Sequence, residues 1–84
     1  EIKLSVSPNP NNGKFNVHFE VKTKADLTVD LLTASGQKVF TQTTPGFNGV
    51  YNKEINLGKP SSAYYLLKIE HNKKTYTQKV IIID

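Results

Sequence analysis

Apolar and polar residues alternate strictly from position 15 to position 22, with Phe15, Val17, Phe19 and Val21 set against Asn16, His18, Glu20 and Lys22. A period of two puts the four apolar side chains on one face, which predicts a half-buried strand. The pattern returns at Leu27, Val29 and Leu31, around Thr28 and Asp30, and again at Tyr65, Leu67 and Ile69, around Leu66, Lys68 and Glu70. Four less regular stretches, residues 2–7, 37–42, 50–57 and 75–83, are rich in Val, Ile, Thr, Tyr or Phe and predict further strands. Helical spacing appears nowhere. Turn residues punctuate the runs: Pro8-Asn9-Pro10-Asn11-Asn12-Gly13, Ala34-Ser35-Gly36 and His71-Asn72-Lys73-Lys74 read as hairpins or corners. Residues 43–49 and 58–62 read as longer loops able to carry the chain between sheets. The expectation is an all-β, immunoglobulin-like β-sandwich of about seven antiparallel strands.

At 84 residues the chain is a single domain, 1–84. It has no Cys, which excludes a disulfide framework, a zinc knuckle and a cysteine nucleophile, so packing must hold the fold. With 37% apolar residues the core is thin. The formal charge of +4 raises the question of an acidic partner. All eleven basic residues are Lys, scattered along the chain, and the guanidinium fork that grips phosphates and guanine edges is missing. That argues against nucleic acid. No apolar window is long enough to span a bilayer, so no membrane insertion is expected. The chain opens at Glu1, has no Met and lacks the blocks of a signal peptide, while Val80-Ile81-Ile82-Ile83 runs straight into Asp84. It therefore reads as the C-terminal module of something longer.

Catalytic chemistry finds little foothold. His18 falls on the polar face of its strand and His71 in a turn, positions of ordinary surface histidines. The acidic residues Glu1, Glu20, Asp26, Asp30, Glu54, Glu70 and Asp84 lie singly, without the spacing of a calcium loop. No catalytic residue, metal or cofactor is assigned. A glycan-binding accessory module of a cell-surface enzyme is the alternative, since small β-sandwiches stack sugars on exposed aromatics. Tyr51, Tyr64 and Tyr76 are the residues left for such a platform once Phe15, Phe19 and Tyr65 are given to the core.

Read in order, four segments resemble a known family. Ser7-Pro8-Asn9-Pro10-Asn11-Asn12-Gly13-Lys14-Phe15 is similar to the P-x-P-x-x-G signature that opens the type A C-terminal sorting domains of the type IX (Por) secretion system of Bacteroidetes. Val29-Asp30-Leu31-Leu32, followed by Ser35-Gly36-Gln37-Lys38-Val39, resembles the family's apolar-Asp-apolar strand and Gly turn. Tyr65-Leu66-Leu67-Lys68-Ile69 resembles its aromatic strand, and Lys79-Val80-Ile81-Ile82 its closing Lys with branched aliphatics. Ala63 stands where the family usually has Gly, and Asp84 where a basic residue is commoner.

The resemblance implies a secretion signal rather than an enzyme: a C-terminal label on an N-terminal cargo domain, recognised by the type IX translocon after the cargo reaches the periplasm. It also implies removal by a sortase-like protease and delivery to the medium or the outer cell surface. Pro8, Pro10, Gly13, Asp30, Gly36 and Tyr65 are its motif positions, structural or recognised. An edge strand offers unpaired backbone groups to a receptor or to a second copy. The last strand is the expected edge, with one set of residues among Lys79, Val80, Ile81, Ile82 and Ile83 sealing the core. The other set, and the carboxylate at Asp84, would face the translocon.

Overall fold

The computed structural model describes residues 2–83, and among them there is no helix. Five strands follow in order: β1 (Ser5–Ser7), β2 (Lys14–Thr33), β3 (Lys38–Asn56), β4 (Ala63–His71) and β5 (Lys74–Ile82). All strand pairings are antiparallel within one sheet. β3 runs along one side of β2 for its whole length, while β1 and then β4 share the other side, and β5 lies outside β4.

Fully extended, the 20 residues of β2 would span roughly 65 Å. The molecule is only 37 Å along its longest axis. The strand must bend, and it does so at residues 22–26, where register shifts flank Ala25 opposite the Pro45 to Gly49 stretch of β3. Asp26 helps to hold the bend by accepting a hydrogen bond from the Gly46 amide at 3.0 Å. The sheet therefore curls, and one core collects side chains from both halves of β2: Phe15, Val17, Phe19 and Val21 before the bend, Leu27, Val29 and Leu31 after it. Tyr51, Ile55, Tyr65, Leu67, Ile69, Val80 and Ile82 complete it.

Seven strands were expected and five are found. The runs 15–22 and 27–31, expected as separate strands, are one bent strand, β2, and residues 43–49, expected as a loop, are a bend inside β3. Pro45 is tolerated because β3 is an edge strand, where a missing amide hydrogen costs no ladder bond. Residues 43–49 thus do not form a loop between sheets, and the hydrogen bonding describes one continuous curled sheet. The short turns fall where the residue types place them. The β4–β5 hairpin turns on Asn72 and Lys73, both at positive φ (53° and 63°), the backbone that a two-residue turn of matching twist requires. The β2–β3 hairpin closes through Gly36, at φ 94°, whose amide donates to the Thr33 carbonyl.

Candidate functional site: the proline loop and the last strand

The loop 8–13 lies along the outer edge of β5. Asn9 spans two successive backbone groups of that edge: its Oδ1 accepts from the Ile81 amide at 2.9 Å and its Nδ2 donates to the Lys79 carbonyl at 3.1 Å. Asn11 continues the contact as a parallel bridge, its amide donating to the Ile81 carbonyl (3.0 Å) and its carbonyl accepting from the Ile83 amide (2.8 Å). The loop itself is shaped by the buried Asn11 side chain, which donates to the Pro8 carbonyl and accepts from the Gly13 amide at 2.8 Å. Both prolyl bonds, Ser7–Pro8 and Asn9–Pro10, are cis. Gly13 sits at φ 109° with Pro60 packed so closely that a Cβ would lie 2.7 Å from the proline Cδ. Its carbonyl accepts from the Leu57 amide. The proline loop thus ties the start of β2, the loop after β3 and the last strand together.

This changes the expected role of the edge. Between Lys79 and Ile83 the outward backbone groups of β5 that a receptor strand would pair with are already bonded to Asn9 and Asn11. The Ile81 and Ile83 amides, already donating, have no hydrogen left for a receptor strand, which would have to displace the loop to pair there. The side chains remain available. Val80 and Ile82 are sealed in the core, while Ile81 is half-buried and Ile83 is 53% exposed on the opposite face. Three consecutive Ile therefore divide between two surfaces. Lys79 shares the outer face, its Nζ 4.8 Å from the centroid of the exposed Tyr64 ring, a cation–π distance. Asp84 lies outside the described residues.

Asp30 is the least expected of the motif residues. It points away from the core yet is only 3% exposed, covered by its neighbours on the outer face of the sheet. Thr41 on β3 donates to its Oδ1 at 2.5 Å and the Lys38 Nζ stands 3.7 Å from Oδ2. A buried carboxylate needs such partners to offset lost hydration. Here they pin β3 to β2 beside the irregularity between Leu31 and Leu32. Tyr65 is in the core and its hydroxyl donates to the Ser61 carbonyl, fixing the loop before β4. Gly36 stays in its hairpin. The structure therefore brings Pro8 and Gly13 into one assembly with Lys79 to Ile83, and leaves Asp30, Gly36 and Tyr65 as separate supports of strands β2 to β4. Asn9, Asn11 and Pro60 were not singled out in the sequence. Asn flanking Pro signals a side chain that bonds nearby backbone, but the partner, some seventy residues away, was invisible there.

The two histidines diverge. His18 is exposed, as its strand phase implies. His71 is buried, not superficial, and its Nε2 lies 3.1 Å from the Phe47 carbonyl, to which it donates, joining β4 to the bend of β3. The three tyrosines do not make a platform. Tyr51 is core, stacked on Phe19 with centroids 4.9 Å apart, and its hydroxyl donates to Gln42 Oε1 at 2.6 Å. Burial pushes its pKa up to about 12. Tyr76, paired with the core residue Ile69, faces inward and Tyr64 faces outward. A flat pair of exposed rings for a sugar is therefore not formed by these residues.

No curated protein matches this sequence. A family model described as a secretion system C-terminal sorting domain matches residues 5–83, from the first residue of β1 to the residue after β5, and takes in both the proline loop and the strand it latches. The family is one of sorting signals, not of enzymes. With its proline loop bonded to its last strand and its sequence matched over residues 5–83, the chain belongs to the type IX secretion C-terminal sorting domains.

Proposed function

We propose that this domain is the export address of a cargo protein joined ahead of it, read in the periplasm by the type IX translocon and then cut away by a sortase-like protease. The cargo ends in the medium or on the outer cell surface. Recognition falls on the outward side chains of Lys79 and Ile81 in β5, on Ile83 just after it, and on the Asp84 that follows in the sequence. The inward ones, Val80 and Ile82, together with Pro8, Pro10, Gly13, Asp30, Gly36 and Tyr65, give the domain the shape that presents them. The observation that carries this reading is the division of the chain end: from the Lys79 carbonyl to the Ile83 amide the backbone edge is closed by Asn9 and Asn11, while Ile83 keeps its side chain exposed. A strand with a closed edge and an open face is suited to side-chain readout rather than strand addition.

A reporter fused ahead of residues 1–84 in a Bacteroidetes host tests it, beside a fusion lacking residues 79–84. Export of the first and periplasmic retention of the second is the expected result. Retention of both in a competent host overturns the reading.

A further inference from the structure

The outer face of the four-stranded half carries an apolar patch that the core does not use. Strand register defines it. Lys38 on β3, Leu32 on β2, Leu66 on β4 and Lys79 on β5 form one cross-strand row, and Tyr64 and Ile81 form the adjacent pair. Tyr64 is 46% exposed, and Leu32, Leu66 and Ile81 are half-buried. Each of these four has a core residue next to it in sequence, at Leu31, Tyr65, Leu67 and Ile82, so their outward direction follows from strand alternation. On the other side of the leucine row lie Asp30 and Lys68.

The charges around this patch are unequal. Lys38, Lys68 and Lys79 surround it. Asp30 is covered and engaged by Lys38, and Glu70, one row further away, reaches Lys68 at only 4.0 Å. Among the described residues the Lys79 ammonium has no carboxylate partner and rests on the Tyr64 ring. A cationic rim around apolar side chains favours an occupant that brings apolar groups with carboxylates beside them. Three of the four apolar side chains lie low, half-buried in the sheet, and so do not project far enough to enter a lipid layer. A protein surface with protruding apolar side chains complements them better.

Resting on the export reading above, we propose that the outer face formed by Leu32, Tyr64, Leu66 and Ile81, with Lys79 at its rim, docks an acidic, apolar segment of the translocation machinery. Docking is by side chains across three strands, with Tyr64 as the central aromatic anchor and Lys79 as the charge contact. Ile83, beyond the end of β5, extends the same surface.

The test uses the reporter fusion with two patch variants, Tyr64→Ser combined with Lys79→Glu, and Ile83→Ser alone. A control pair, Val50→Ser with Lys53→Glu, removes an exposed apolar residue and a Lys from β3. Thermal unfolding of the 84-residue chain accompanies each. The expected result is that each patch variant keeps its melting temperature and loses export, by about tenfold for the double variant, the scale of one lost interface anchor. The control fusion is exported like wild type.

Normal export of the folded patch variants overturns the proposal while leaving the export reading intact, and so does an equal loss in the control. Failure of the wild-type fusion removes both. Sedimentation of the chain with vesicles containing anionic lipid separates the other source of acidic, apolar contact. Strong binding that is lost in the double variant overturns the assignment to a protein.

Discussion

Replacing Asn9 by Ala removes both side-chain bonds of the loop to the edge of β5 without touching the core. The Ile81 amide loses its acceptor outright. The Lys79 carbonyl keeps a second donor, the Gln78 Nε2 at 3.1 Å, so its loss is partial. Both bonds are solvent-accessible, and water replaces much of what is removed. The net cost is therefore that of one ordinary hydrogen bond, ~1 kcal/mol. In a domain of this size that lowers the melting temperature by about 4–8 °C. If exchange at the Ile81 amide proceeds by local opening, the same free energy speeds it roughly fivefold. Amide hydrogen exchange followed residue by residue, beside a thermal melt, is the assay. Asn11→Ala should cost more, ~1–3 kcal/mol, because it leaves the buried Gly13 amide without its acceptor. An Asn9→Ala protein with unchanged melting temperature and unchanged Ile81 protection would show that the loop merely lies beside the strand, and the account of a closed edge would fall.

Three other outcomes follow from the packing. Gly13→Ala meets a left-handed backbone and the Pro60 ring at once, and should cost ~2 kcal/mol or more in denaturant titration; adding Pro60→Ala should return only the steric part. Leu67→Ala, at the centre of the core, should cost ~2–5 kcal/mol by the same measurement. Tyr51 has a folded-state pKa raised from 10.0 to about 12 by burial, so its contribution is intact below pH 10 and is lost as pH rises toward 12. With the hydroxyl only partly enclosed, the loss should be ~1–2 kcal/mol, and Tyr51→Phe should flatten that part of the alkaline stability profile. A tyrosinate titration in which Tyr51 itself ionises near pH 10 would contradict it.

Much of this protein was legible without coordinates because strand alternation is a local property. The odd-numbered residues from Phe15 to Val21 and from Leu27 to Leu31 are the core of β2, and the hairpins at Gly36 and Asn72 fall where their residue types place them. The family motifs are likewise short runs of neighbours. Continuity was not legible. Polar residues at 22–24 look the same in a loop as in a bent strand, and only the partner strand decides between them. Nor could the pattern show that Asp30 is covered or that His71 reaches the Phe47 carbonyl, since in both cases the neighbours come from other strands. The proline loop marks the boundary most clearly. Its residues specify a corner by their own backbone preferences, whereas its bond to Lys79, Ile81 and Ile83 exists only because the curled sheet carries the two ends of the domain to one edge.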